Sequence, residues 1–264
     1  MLQQLNGATR VHFVVGDPIA QVKSPSDVSQ VFQARGRNAI VVPAHVTPAD
    51  LSSWIQAVST MRNVDGIIVT VPHKFAAFDL CTTASERASF LQTANVMRRS
   101  ADGTWHGDTL DGLGFVAALR ESGTRVQGRH ALLIGAGGAG SAIAHAMVQT
   151  GLETLAIHDE DARRRDALIE RLRELDQGRV QAGSPDPRSF DIVINATPIG
   201  MREGDPLPLD ASGLTSAMHV ACVITAPAIT PLIAKARELG CTTQTGAEMF
   251  ARVRDLMVDF LLEE

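Results

Sequence analysis

Cysteine is scarce in this sequence: three among 264 residues, at positions 81, 222 and 241. Cys81, Cys222 and Cys241 are odd in number, widely spaced and without metal-ligand patterning, which argues against a disulfide framework or a zinc cluster. No metal is expected, and reduced thiols point to a cytoplasmic protein. No apolar run approaches the ~18 residues of a membrane span, and the opening MLQQLNGATR has no apolar signal core, so no membrane partner is expected. Basic charge is in deficit, with 24 Lys and Arg against 29 Asp and Glu and a net charge of −5. That balance offers no overall basic surface for nucleic acid. The local run Arg163, Arg164, Arg165 reads as a solvated helix face. Repeats and low-complexity tracts are absent, aromatic residues make up 4%, and there is no tyrosine.

What is present is a chain with 45% hydrophobic and 20% charged residues, enough for a substantial core in one large domain or two ordinary ones. Its organising stretch is His130–Gly140, HALLIGAGGAG. Ala131 to Ile134 suits a buried parallel strand, and Ser141–Thr150 continues as an alanine-rich helix. Between them Gly135, Gly137 and Gly140 form G-x-G-x-x-G: a tight turn, a close approach of backbone to a pyrophosphate, and close helix–strand packing. Thr154–His158 reads as a second strand, and Asp159 follows at the ~20-residue distance of a ribose-binding carboxylate. A glycine cluster alone also marks ordinary turns. Strand, helix and carboxylate together favour a dinucleotide site.

Along the chain, Val11–Val15 reads as a strand stopped by Gly16-Asp17-Pro18, and Ser26–Arg35 as a helix. Ala39–Val42 is a second strand. Thr47 is the expected N-cap of a helix through Ala49–Thr60, with Pro48 at its first position. Gly66–Val71 is a third strand ending at Pro72. Ser85–Phe90 suits a helix, Asn95–Arg99 and Thr104–His106 a strand pair, and Asp111–Ser122 a helix. Further strands fall at Asp191–Asn195, His219–Ile224 and Thr242–Gln244, with helices at 163–175 and 231–239. Met249–Leu262 is a final amphipathic helix. This alternation predicts a parallel α/β sheet.

Lys74 follows a strand and the turn Val71-Pro72-His73, where α/β sheets present groups to a ligand. There a lysine can exchange a proton with a hydroxyl, although most lysines are simply solvated. Asp111, in GDTLDG at 107–112, equally suits a helix N-cap.

Taken together the segments resemble one family, the shikimate dehydrogenases and their quinate-dehydrogenase relatives. The blocks that carry the resemblance are GDPIAQVKSP at 16–25, GIIVTVPHK at 66–74, Asn95, GDTLDG at 107–112, GAGGAG at 135–140, NATPIGM at 195–201 and TPL at 230–232. The resemblance implies an α/β fold with an N-terminal parallel-sheet substrate domain over 1–109, a Rossmann-type dinucleotide-binding domain over 110–244, and a C-terminal helix in 245–264 returning to the first. It implies Lys74 and Asp111 as the catalytic pair, with Lys23, Ser24, Thr70, Asn95 and Thr225 about the substrate. Gly135, Ala136, Gly137, Gly138, Ala139, Gly140, Asp159, Arg163, Thr197 and Met249 would line the cofactor.

Departures from the family pattern gather about the substrate. Val22 and Ile68 replace a serine and an asparagine, while Thr225 and Val253 fall where the family carries a tyrosine and a glutamine. A site stripped of polar partners loses selectivity for a polyhydroxylated acid. Where NADP-preferring members carry Asn-Arg-Thr, this chain has Asp159-Glu160-Asp161. Those carboxylates would repel a 2′-phosphate, so NAD is the favoured cofactor. NADP stays open because Arg163 or Arg164 can fold back. The expected activity is hydride transfer between NAD(P) and a cyclic hydroxy acid or its ketone, in a monomer or homodimer. The alternatives are a dehydrogenase for a less polar substrate and a low-turnover dinucleotide sensor.

Overall fold

The computed structural model describes residues 5 to 263, which form two compact units. The first takes in the described residues up to Leu110 together with those from Arg254 onward, and the second spans Asp111–Val253.

The first unit is built on strands β1 (Arg10–Gly16), β2 (Ala39–His45), β3 (Val64–Val69), β4 (Thr83–Ala84), β5 (Val96–Arg99) and β6 (Trp105–Asp108), with helices α1 (Ser24–Ala34), α2 (Leu51–Ser59), α3 (Lys74–Asp79) and α4 (Glu86–Leu91). The strand order is β2-β1-β3-β5-β6-β4. β1 pairs in parallel with β2 and β3, whereas β5 runs antiparallel to both β3 and β6. The sheet is therefore mixed rather than purely parallel, because the short hairpin at Ala101-Asp102-Gly103 reverses the chain without a crossover helix. That reversal brings the start of β5 and the end of β6 to the edge where β1 and β3 end. Val15, Ile55, Ile67, Val69 and Met97 pack into the core beside this sheet.

Three local outcomes differ from the sequence expectation. The hydroxyl of Thr47 donates to the Asp50 carboxylate at 2.7 Å instead of capping, so α2 starts at Leu51 behind a turn. β2 continues through Pro43 to His45 because it is an edge strand, where a missing amide costs no ladder bond. β4 and α3 are too short to show a period.

The second unit holds α5 (Asp111–Glu121), β7 (His130–Ile134), α6 (Gly138–Val148), β8 (Thr154–His158), α7 (Ala162–Arg173), β9 (Arg179–Ala182), β10 (Ile192–Asn195), β11 (His219–Cys222), α8 (Pro231–Glu238), β12 (Thr242–Gln244) and the start of α9 (Gly246–Leu262). Its order, β12-β11-β10-β7-β8-β9, is parallel throughout. This is the doubly wound arrangement, with the switch between β7 and β10, where ligands lie outside the carboxyl ends of the strands.

The second unit ends within α9 rather than at residue 244, because the first turns of that helix pack on it. A Cβ on Gly246 would meet the Ile224 carbonyl at 2.2 Å, and one on Gly114 would meet Val253 Cγ2 at 2.3 Å. The remaining turns of α9 belong to the first unit: Leu261 lies where a Cβ on Gly66 would stand, Arg35 pairs with Asp259, and Arg98 stacks on Phe260.

Candidate active site

In the first unit the residues implied by the resemblance gather at one edge of the sheet. The loop after β1 is tied to the loop after β3: the Thr70 amide donates to the Val15 carbonyl at 2.9 Å and the Asp17 amide to the Val71 carbonyl at 3.0 Å. Gly16 permits this approach, since a Cβ there would lie 2.4 Å from Thr70 Cγ2. Val22 and Lys23 follow, half-buried, and Ser24 opens α1, buried.

Lys74 opens α3, half-buried, behind a fully enclosed His73 whose Nε2 lies 2.8 Å from the Val46 carbonyl. The carbonyl of Lys74 accepts the Ala94 amide at 2.9 Å. Next to Ala94, Asn95 is wholly buried, and its Oδ1 accepts the Leu110 amide at 2.9 Å. Its Nδ2 has no protein partner among the described residues. A buried amide with one free end is the kind of group a ligand oxygen satisfies. Ile68, at 3% exposure, sits in β3 between Val14 and Val96, so an apolar residue suits its place in the sheet.

The sequence reading missed Asp108. It is buried at the end of β6, accepts the Thr109 amide at 2.7 Å, and takes hydrogen bonds from Ser85 Oγ and Arg87 Nη2. Its place in GD-x-x-DG was the available signal, but that motif was read only for Asp111. Asp111 itself is the first residue of α5 and is buried.

In the second unit the strand–turn–helix around β7 sets the three glycines in different surroundings. Gly135 adopts a φ of 102°, in the left-handed region that favours glycine. A Cβ there would also lie 2.9 Å from Thr197 Cγ2. A Cβ on Gly140 would fall 2.0 Å from the Gly135 carbonyl oxygen, so the helix can pack on the turn only without one. Gly137 is different: nothing lies within 4 Å of its missing Cβ. It caps α6 and, with Gly138 and Ala139, is half-buried, whereas Ala136 is enclosed. Open space before a helix N-terminus is where backbone amides hold a phosphate.

Asp159, directly after β8, is bound to this turn. Its Oδ2 accepts the Ala136 amide at 2.6 Å and Arg164 Nε at 3.2 Å, and its Oδ1 accepts the Asp161 amide at 2.8 Å and Arg164 Nη2 at 2.6 Å. Burial alone would raise its carboxyl, but the hydrogen bonds from Arg164 and the two amides outweigh it and hold the group below the ordinary carboxylate range. Asp161 is also engaged, as the N-cap of α7 accepting the Arg163 and Arg164 amides. The acidic run therefore offers less free negative charge than the sequence implied. The guanidinium brought to Asp159 is that of Arg164; Arg163 contributes its amide to the cap.

Asn195 organises the turn after β10: its Oδ1 accepts the Thr197 amide and hydroxyl, and its Nδ2 donates to the Ile199 carbonyl. Thr197 thus stands against Gly135. Thr225 follows β11, half-buried, and Met249 is buried in α9. Val253 is 2% exposed and packs on Gly114, which accounts for an apolar residue at that position.

Residues 14–97 match the model of the shikimate dehydrogenase substrate binding domain. The chain is 34% identical over 252 residues to a protein of Rubrobacter xylanophilus named shikimate dehydrogenase (NADP(+)), covering 93% of this chain and 88% of that one. Among solved structures, the quinate dehydrogenase of Corynebacterium glutamicum in complex with NAD superposes with a TM-score of 0.86 at 26% identity, over 96% of this chain and 94% of the other. The 5-ketofructose reductase of a Gluconobacter strain gives 0.82 at 27%, over 96% and 93%. The chain belongs to the shikimate and quinate dehydrogenase family.

Proposed function

We propose that this chain is a nicotinamide-dependent dehydrogenase interconverting a hydroxyl and a ketone on a cyclic hydroxy acid, with shikimate and quinate as the reference substrates. The observation that carries the proposal is the kinship to a shikimate dehydrogenase through 93% of the chain, across both units.

The residues present fit a dinucleotide, since Gly137 leaves room for a pyrophosphate at the start of α6 while Gly135 and Gly140 let the turn close behind it. When bound, the nicotinamide supplies or accepts the hydride. The chain supplies the rest. Lys74 relays the proton of the reacting hydroxyl, a step typically worth ~10²–10⁴-fold. Asp111, implied with Lys74 as the catalytic pair, holds the reacting hydroxyl, and the free amide end of Asn95 holds an oxygen of the substrate. Thr70 and Thr225 orient the ring, and Lys23 with Ser24 holds the acid group.

The state of Asp159 bears on the choice of cofactor. A carboxylate has about four acceptor sites, and Ala136, Asp161 and two nitrogens of Arg164 already point at them. A ribose hydroxyl reaches Asp159 only by displacing Arg164, whereas a 2′-phosphate meets Arg164 directly. The site admits both NAD and NADP, and Arg164 sets the ratio.

A second reading, a less polar substrate than shikimate, is favoured by the enclosed Ile68. Its support is that no side-chain donor stands at that point of β3. Initial rates with NAD⁺ and NADP⁺ over shikimate, quinate and less hydroxylated ring alcohols test both. Shikimate turnover with a high KM is expected, because losing binding groups raises KM more than it lowers kcat. A micromolar KM for shikimate would remove the second reading. Binding of either cofactor without turnover of any substrate would overturn the first.

A further inference from the structure

We propose that Arg87, acting through Asp108, is a positioning residue for the reaction; the inference rests on the dehydrogenase reading above. Arg87 lies on α4 and is one-third exposed, while its partner Asp108 is nearly enclosed, with 4% side-chain exposure. A carboxylate so buried needs a cation and further donors, and here these are the Arg87 guanidinium, the Ser85 hydroxyl and the Thr109 amide. Ser85 fastens the same junction twice more, because its amide donates to the Gly107 carbonyl at 3.0 Å and its hydroxyl caps α4.

From this junction a path of hydrogen bonds and peptide links leads to the reacting groups. The Asp108 carbonyl accepts the Asn95 amide at 2.9 Å, and the Asn95 side-chain oxygen accepts the Leu110 amide at 2.9 Å. Ala94, the neighbour of Asn95, donates to the carbonyl of Lys74 at 2.9 Å. Asp108 therefore anchors Asn95 from one side and, through the Thr109 amide, the strand end that delivers Leu110 and then Asp111. Asn95, Lys74 and Asp111 are thus tied to the main chain at Asp108 by these bonds and the peptide links between them, and the cation that holds the Asp108 carboxylate in place is Arg87. Loss of that cation leaves Asp108 as an unpaired buried charge. The strand end then shifts or takes up solvent, and displacement of about 1 Å at a reacting group can cost ~10²-fold in rate.

The experiment uses the full chain, with rates normalised to molecules that bind cofactor. Arg87→Met is expected to lower kcat by ~10- to 100-fold while leaving the Kd for NAD⁺ and NADP⁺ as in wild type. Arg87→Lys restores a cation opposite Asp108 and should recover most of the lost kcat. Should Arg87→Met not fold, Ser85→Ala takes its place, with an expected fall of about 2- to 10-fold for one lost hydrogen bond. A lowered Tm with unchanged kcat would show that the junction only supports the fold and would overturn the proposal. Failure of Arg87→Lys to recover any rate would overturn its electrostatic basis. A wild-type enzyme that turns over no substrate would instead bring down the dehydrogenase reading, and this inference with it.

Discussion

Arg164 grips Asp159 with two nitrogens, Nη2 at 2.6 Å and Nε at 3.2 Å, while the same carboxylate holds the Ala136 amide of the glycine turn at 2.6 Å. Such charge-assisted, two-point contacts fix geometry as well as contribute energy. The side chain proposed to set cofactor choice is thus coupled to the turn proposed to hold the pyrophosphate. Arg164→Ala should weaken NADP⁺ binding by about tenfold or more, the worth of a charged hydrogen bond, and should leave NAD⁺ binding equal or tighter. Calorimetric Kd values decide it, and an unchanged NADP⁺ Kd would mean that Arg164 does not face the 2′ position.

The glycines of the turn are predicted to separate stability from binding. Gly137→Ala has nothing within 4 Å to collide with, so Tm should stay within about a degree of wild type. On the proposed dinucleotide reading the added methyl group crowds the pyrophosphate, and both cofactors should bind at least about tenfold more weakly. Gly140→Ala puts a Cβ 2.0 Å from the Gly135 carbonyl and should lower Tm by several degrees. Thermal shifts with and without cofactor distinguish the two outcomes.

Lys74→Ala should reduce kcat by ~10²–10⁴-fold with the best substrate and leave cofactor Kd unchanged, because a proton relay acts in the transition state rather than in cofactor binding. Asp111→Asn should also slow turnover. The double variant should lose less than the product of the two single losses, as residues acting as one unit do. Steady-state kinetics at saturating cofactor provide the check; wild-type kcat in Lys74→Ala would remove the relay.

Stability should fall on mild acidification. Burial pushes the His12 imidazole down from 6.5 to about 4, and burial lowers His219 to about 4 as well. Between those values the unfolded chain binds protons that the native state refuses, so stability is full above about pH 6.5, declines through the window, and has lost both contributions below about pH 4. For His12, wedged against Phe32, the loss is on the order of 3 kcal/mol. Urea unfolding between pH 4.5 and 7.5 should show the slope, and His12→Leu should remove about half of it. A His12→Leu protein with the wild-type slope would show that the imidazole is not the group responsible.

The sequence by itself determined the parts whose chemistry is local. The G-x-G-x-x-G turn was readable because much of what it demands is local, the left-handed backbone of Gly135 and the close approach of Gly140 to the Gly135 carbonyl, and β7 and α6 flank it as the apolar pattern required. GIIVTVPHK and GDTLDG marked Lys74 and Asp111 as candidates through the family resemblance those blocks carry; their positions alone also suited a solvated lysine and a helix N-cap.

The tertiary structure decided what depends on partners distant in the chain. Three adjacent acidic residues look alike in sequence, but Asp161 is spent on capping α7 and Asp159 on Arg164 and Ala136. Val253 reads as a lost polar group, yet it is the residue that Gly114 makes room for. Asp108 passed as part of a motif, although its carboxylate joins Arg87, 21 residues earlier, to the strand end before Asp111. In each case the residue type follows from what the fold brings against it: α7 beside β8, α9 against α5, and α4 beside β6. Periodicity and spacing record which face a residue takes, whereas a hydrogen bond across the fold requires both partners to be in place.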